Sequence, residues 1–127
     1  MESIRALLER EVHTAERIRK LKYTSNHDEL TQVFNRRAIL SESPKFIDST
    51  IENSFSIKAV YFDIDGLKYV NDNFGDTIGD QYIKSVSHSL QRNTRKDDIC
   101  GRLGGDEFLL LCRDITEGSL KKIISRV

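Results

Sequence analysis

Two pairs of acidic residues are the first candidates for chemistry. Asp63 and Asp65 close an apolar run, and Asp106 and Glu107 lie between two short apolar runs that predict a β-hairpin. If the strands are neighbours in one sheet, these carboxylates meet at its edge. Crowded carboxylates repel one another, so such a cluster indicates a divalent cation. Oxygen ligands alone favour Mg²⁺ or Mn²⁺ over zinc.

Each acidic pair also has a structural interpretation. A terminal Asp on a strand is commonly a cap or turn residue, and residues 104–107 could form a plain turn. Lys68, Asn71 and Asp80 lie between the two pairs, and this joint occurrence favours a site. From the residues alone, however, helix capping is the stronger interpretation of Asn71 and Asp80.

The elements that position these residues follow from hydrophobic spacing and turn residues. Asn26, His27 and Asp28 offer caps for a helix from Glu29 to Leu40. We expect this helix to end at residues 41–44, which include Pro44. The other predicted elements are a polar helix or loop at 45–54, a buried strand at 57–65, a short helix to Phe74, a turn at 75–79, a helix at 80–91, hairpin strands at 99–103 and 108–112, and a last helix at 116–127.

Residues 2–26 predict an amphipathic helix with apolar positions at helical spacing. Pairs such as Glu2/Arg5 and Glu16/Lys20 support it at i+3 and i+4. Two interpretations stay open. The helix could pack on its own domain, or it could be a coiled-coil stalk that pairs two chains.

Composition excludes several classes of protein. The 127 residues carry 20 Lys and Arg against 20 Asp and Glu, so the formal net charge is +0. Neutrality argues against bulk electrostatic capture of nucleic acid or anionic lipid. The longest apolar runs are far shorter than a membrane span, and no signal-peptide pattern is present. Cys100 and Cys112 form neither a disulfide framework nor a zinc site, so we expect a cytoplasmic protein without direct membrane contact.

Five segments in register resemble the GGDEF domain, the diguanylate cyclase catalytic domain of bacterial signalling. Residues 104–108 read Gly-Gly-Asp-Glu-Phe, and Arg102 and Leu103 precede them as is usual in the family. Residues 28–37, 62–72 and 74–80 match the opening motif, the metal strand with its phosphate loop, and the following substrate segment. The resemblance implies an α+β fold, similar to nucleotidyl cyclases and polymerase palms. Its sheet contains antiparallel strands and has flanking helices, with an N-terminal helix in front.

The resemblance also implies a reaction: two GTP molecules condense to cyclic di-GMP and release two pyrophosphates in a homodimer of half-sites. Asp63, Asp106, Glu107 and the carbonyl of Ile64 would ligate Mg²⁺ or Mn²⁺, and Asp106 or Glu107 would accept the proton. Lys68 would stabilise the transition state. The substrate-binding positions are Gly66, Leu67, Lys68, Asn71, Asp80, Gly104 and Gly105, of which Asn71 and Asp80 would read the guanine edge.

Arg95 and Asp98 match the family's inhibitory product site. Five residues separate Asp98 from Gly104, which is the family's spacing. An isolated R-x-x-D string carries little information, so the assignment to cyclic di-GMP binding depends on this placement.

Some features depart from the family. Asp76 replaces a frequent His, Gln32 replaces a frequent Gly, and the chain ends at Val127, before the further strands and last helix of the family domain. We therefore expect a stalk at 1–26 and a GGDEF domain at 27–127 that lacks its C-terminal part. An upstream sensory domain or partner would supply the signal.

Three functions stay open at this point. They are a cyclase, a receptor that holds cyclic di-GMP or GTP without turnover, and a stalk-driven dimerisation module. A nucleic-acid polymerase would share the acidic pairs, but the neutral charge argues against a long nucleic acid as partner.

Overall fold

The structure, a computed structural model, describes residues 3–126. The five helices are α1 (Ile4–Asn26), α2 (Arg36–Glu52), α3 (Leu67–Phe74), α4 (Asp76–Asn93) and α5 (Glu117–Arg126). The three strands are β1 (Ile57–Asp63), β2 (Ile99–Arg102) and β3 (Glu107–Arg113). None of the helices within this range is long and apolar enough to cross a membrane.

The strands form one antiparallel sheet in the order β1-β3-β2. The pairing of β1 with β3 runs from Ile57 opposite Arg113 to Asp63 opposite Glu107. The mixed α+β class with an antiparallel sheet and an N-terminal helix is therefore confirmed. The strand predicted at 57–65 ends at Asp63. It is also less buried than expected, because Ala59, Tyr61 and Asp63 face solvent on an edge strand.

The core lies between the sheet and the helices packed on it. Phe108 and Leu110 of β3 are fully buried and belong to two hydrophobic clusters. The first cluster includes Leu90 of α4 and Ile123 of α5. The second includes Ile83 of α4 and the residues that flank the acidic strand ends. The central strand thus anchors the sheet edge that carries the acidic residues.

The predicted start of the second helix at Glu29, with caps at Asn26, His27 and Asp28, is wrong, whereas residues 36–40 are helical as predicted. Residues 28–34 form a tight turn, because the Asp28 carboxylate accepts hydrogen bonds from the Thr31 N–H (2.9 Å) and hydroxyl (2.8 Å). Gln32 follows with φ of 66°, a left-handed conformation that stops a helix. The helix begins only at Arg36, where the Asn35 side chain accepts from the Ala38 N–H.

The break predicted at Pro44 is also wrong, because α2 continues through it to Glu52. A helical proline removes the hydrogen bond to the carbonyl four residues earlier, here that of Leu40. Leu40 and Pro44 are both exposed, so water can serve that carbonyl. Packing of buried Ile39 and Phe46 on either side of the proline holds the helix together.

Helix α4 begins earlier than predicted. The expected turn at 75–79 is a single residue, Gly75, whose φ of 87° redirects the chain between α3 and α4. Asp76 then lies in the first turn of α4, where the negative charge of a carboxylate interacts favourably with the helix dipole. Asp80 consequently lies inside the helix, and the capping interpretation of Asp80 is wrong.

Helix α1 buries none of its residues. Its large apolar side chains, including Ile4, Leu8, Val12 and Leu21, are exposed on the described chain. Ser3 caps the helix by accepting from the Ala6 N–H. Glu2 and Val127 lie outside the described residues, and so do the predicted helix start at Glu2 and the pair of Glu2 with Arg5. The division into a stalk at 1–26 and a domain at 27–127 stays a prediction.

Candidate active site

The acidic residues of the two strand ends come together. Asp63 is the register partner of Glu107, and one carboxylate oxygen from each of Asp63, Asp106 and Glu107 lies within 4.8 Å of the other two. The Ile64 N–H donates to the Asp106 carbonyl at 2.8 Å, which extends the strand pairing past Asp63. Asp65 lies just beyond the strand and is exposed. The spatial meeting that the sequence predicted is present.

The electrostatics of the cluster favour a cation. Although Asp63 is exposed, desolvation by the neighbouring strand end raises its pKa, and the charges of Asp106, Glu107 and Asp65 raise it further. The same surroundings act on Tyr61, which faces solvent two residues earlier on β1. Desolvation raises the pKa of its phenol, and a hydrogen bond to Glu107 together with the charge of that carboxylate raises it further. Three carboxylates at this spacing are a suitable oxygen donor set for Mg²⁺ or Mn²⁺.

Two arginines hold the tip of the hairpin. The Arg36 guanidinium donates to the Leu103 carbonyl at 3.0 Å. Arg102 donates to the next two carbonyls, those of Gly104 at 3.1 Å and Gly105 at 2.8 Å. Three consecutive carbonyls are therefore fixed immediately before Asp106.

Arg102 is itself fixed by Asp28. Its guanidinium lies 3.1 Å from a carboxylate oxygen of Asp28, and both side chains are largely buried. Burial opposes ionisation of Asp28, but the Thr31 hydrogen bonds and the Arg102 charge outweigh it and lower the pKa of Asp28. Sequence reasoning assigned no role to Arg102 or Arg36. The signals available were the position of Arg102 two residues before Gly104 and the position of Arg36 within the matched segment 28–37.

Neither glycine of the tip has positive φ, and only Gly104 has a close neighbour. Among the described residues, only Gly66 and Gly75 are glycines with positive φ. A Cβ on Gly104 would lie 3.3 Å from Oε2 of Glu107, whereas a Cβ on Gly105 would meet open space. Gly104 thus lets the Glu107 carboxylate lie close to the backbone.

The predicted phosphate loop lies between β1 and α3. Gly66 has φ of 72° and caps α3, which places Leu67 and Lys68 in the first turn of the helix. N–H groups of a first helical turn lack intrahelical partners and favour anions. The Tyr82 hydroxyl donates to the Asp65 carbonyl at 2.8 Å, tying this loop to α4. Lys68 is exposed beside it.

The predicted base-reading residues lie where α3 meets α4. The Asn71 side chain packs against Gly79, the residue before Asp80. The Gly75 N–H donates to the Asn71 carbonyl at 3.0 Å, which closes α3. Asp80 is exposed on α4.

Arg95 and Asp98 lie in one turn at the other end of the sheet, where β2 begins and β3 ends. The Asp98 carboxylate accepts from the Arg95 N–H at 2.7 Å and from its guanidinium at 3.2 Å. The guanidinium also donates to the carbonyls of Arg113 and Asp114. The Asp98 side chain is only 1% exposed, whereas that of Arg95 is 45% exposed.

The two cysteines lie near this turn. Burial raises the pKa of Cys112 to about 12, and Asp98 adds to the shift through its charge and a hydrogen bond. Burial also raises the pKa of Cys100 to about 12. Both thiols are free and stay protonated at neutral pH.

The sequence matches the family model described as "Diguanylate cyclase, GGDEF domain" over residues 25–127. DgcT, a probable diguanylate cyclase of Escherichia coli strain K12, is 34% identical over 91% of this chain and 25% of its own length. PdeR, a cyclic di-GMP phosphodiesterase of the same strain, is 32% identical over 85% of this chain and 16% of its own length.

A solved structure agrees with these matches. The coiled coil and GGDEF domain of DgcB from Caulobacter crescentus, in complex with c-di-GMP, superimposes with a TM-score of 0.78 at 26% identity. The alignment covers 96% of this chain and 68% of that chain. The chain therefore belongs to the GGDEF family, as its motifs predicted. It spans a quarter of DgcT and a smaller share of PdeR.

Proposed function

We propose that this chain carries the catalytic half-site of a diguanylate cyclase. The observation that carries the proposal is the meeting of Asp63, Asp106 and Glu107 within 4.8 Å at the edge of the sheet. In the reaction, each GTP 3′-oxygen forms a bond to the α-phosphorus of the other GTP. The bond from that phosphorus to pyrophosphate breaks, and the hydroxyl proton passes to Asp106 or Glu107.

The acidic cluster fits a divalent cation, because its carboxylates crowd together, and desolvation and their charges raise the pKa of Asp63. We assign Asp63, Asp106 and Glu107 as ligands, with the Ile64 carbonyl as a further ligand. A bound Mg²⁺ or Mn²⁺ would neutralise phosphate charge and acidify the attacking hydroxyl.

The neighbouring elements bind and orient the nucleotide. N–H groups of Gly66, Leu67 and Lys68 face the phosphates at the start of α3, and the Lys68 ammonium compensates their charge. Asp80 accepts from N1–H and the 2-amino group of guanine, with Asn71 beside it. Adenine cannot offer this donor pair, so a site that bound adenine would contain unpaired polar groups.

The condensation needs two half-sites, and we propose that α1 brings two chains together. Its apolar stripe of Ile4, Leu8, Val12, Ile18 and Leu21 is exposed, which suits a helix that pairs with its copy. Sedimentation should show a dimer that Leu8→Lys weakens. His13→Lys, an exposed change on the side of α1 opposite Ile4, is the control.

The direct test is incubation of the chain with GTP and Mg²⁺ and detection of cyclic di-GMP. Asp106→Asn and Glu107→Gln should abolish product, because each removes one carboxylate charge without changing shape. Glu117→Gln on α5 is the matched control and should keep the rate. Activity per chain should rise with concentration. Binding of GTP or cyclic di-GMP without turnover would support a receptor, and absence of both activities would reject the proposal.

We further propose that cyclic di-GMP inhibits the enzyme through Arg95 and Asp98. The exposed guanidinium of Arg95 is the accessible part of this pair. Arg95→Ala should flatten the dependence of the rate on added cyclic di-GMP. An inhibition curve unchanged from wild type would reject this assignment.

A further inference from the structure

Gly79 is a glycine whose backbone does not require one. It lies inside α4 and is buried, and its φ is not positive. Glycine is the poorest helix former after proline, so another reason must keep it there. A Cβ at this position would lie 1.7 Å from Oδ1 of Asn71 and 2.9 Å from its Cγ. Any side chain at residue 79 therefore displaces the Asn71 amide.

The contact between Gly79 and Asn71 continues a series of backbone hydrogen bonds. The Gly75 N–H donates to the Asn71 carbonyl at 3.0 Å, and the Gly79 N–H donates to the Gly75 carbonyl at 3.1 Å. The backbone of residue 71 is thus linked to α4 through Gly75, and its side chain occupies the space that a Cβ on Gly79 would fill. Asp80 is the next residue on the same helix.

We propose that Gly79 is a positioning residue that sets the guanine selectivity of the site. Because it lacks a Cβ, it leaves room for the Asn71 amide next to Asp80. This inference rests on the proposed function, in which Asn71 and Asp80 read the base. The misplaced amide in a Gly79→Ala variant would lose its hydrogen bond to guanine and leave triphosphate binding intact.

The test compares four variants by nucleotide affinity in Mg²⁺ and by thermal unfolding. Gly79→Ala and Asn71→Ala should each weaken GTP binding roughly tenfold, the loss expected when one buried hydrogen bond is missing. ATP, which shares the triphosphate, should bind as it does to wild type. Gly118→Ala is the matched control, because a Cβ there on α5 meets open space. It should raise the melting temperature and leave both affinities unchanged.

The double variant Gly79→Ala/Asn71→Ala separates positioning from a merely structural role. Since the clash is with Asn71 alone, adding Gly79→Ala to Asn71→Ala should cause no further loss of GTP affinity. It should also raise the melting temperature, as alanine favours the helix once the amide is gone.

Each remaining outcome is decisive. If Asn71→Ala leaves GTP affinity unchanged, base reading by Asn71 is refuted, and with it this part of the proposed function. If Asn71→Ala weakens GTP binding but Gly79→Ala does not, only the role of Gly79 is overturned. Additive losses in the double variant would also overturn it, because Gly79 would then act on something other than the amide.

Discussion

Arg102→Ala should destabilise the protein far more than the loss of an ordinary surface ion pair. The guanidinium lies 3.1 Å from Asp28, and the two side chains are only 16% and 22% exposed. Removing one partner of a buried pair costs about 3–5 kcal/mol, and an exposed pair contributes at most about 1 kcal/mol. The variant also loses the hydrogen bonds to Gly104 and Gly105. We expect a loss of about 2–4 kcal/mol in the free energy of unfolding.

Urea unfolding followed by circular dichroism at neutral pH measures this loss. The matched control is Arg5→Ala, which removes the Arg5–Glu9 pair on α1. That pair has nearly the same distance, 3.2 Å, but its side chains are 88% and 63% exposed. Its removal should change stability by about 0.5 kcal/mol or less. Equal effects of the two substitutions would refute the reasoning from burial.

Arg102→Lys distinguishes charge from geometry. Lysine keeps the charge near Asp28 but lacks the planar fork that reaches two carbonyls at once. It should recover part of the stability. It should recover little of the proposed cyclic di-GMP formation, because the carbonyls of Gly104 and Gly105 would still lack their hydrogen bonds. Full recovery of both would show that charge alone matters.

Two further predictions concern the turn after α1. Gln32→Gly should stabilise the fold by about 1 kcal/mol, because Gln32 has φ of 66° and only glycine adopts that conformation freely. Gln32→Ala keeps the strain, so a gain there in urea unfolding would contradict this. Asp28 has a lowered pKa when folded, so its contribution is present above its ordinary pKa and is lost as pH falls through the folded value. Asp28→Asn should therefore flatten stability against pH below about 4; an unchanged acid limb would reject it.

The sequence predicted the sheet well because its strands are encoded locally. The strands predicted at 57–65, 99–103 and 108–112 are mostly apolar runs bounded by turn residues, and the observed strands lie within two residues of these bounds. Their pairing follows once a hairpin and one neighbour are assumed. The helix boundaries failed for reasons that are not local. Asp28 forms a turn with Thr31 in place of a helix cap, and packing around Ile39 and Phe46 carries α2 past Pro44.

The candidate site was predictable in part. The position of Asp63, Asp106 and Glu107 at strand ends indicated that they meet if the strands are neighbours in one sheet. It could not indicate that Arg102 holds the tip, because that role depends on an ion pair with Asp28, 74 residues away in sequence. Nor could it indicate the closeness of Gly79 to Asn71, which depends on how tightly α3 and α4 pack.

The structure also separates two motifs that the sequence treats alike. The carboxylates of Asp63, Asp106 and Glu107 lie close together, and desolvation and their mutual repulsion raise the pKa of Asp63, so a cation would relieve a cost already present. Asp98 instead is covered and accepts two hydrogen bonds from Arg95. A ligand that recruits Asp98 must first replace those bonds, whereas one that stacks on the exposed Arg95 guanidinium need not. Arg95 should therefore contribute more than Asp98 to any affinity for cyclic di-GMP, although both match the same motif.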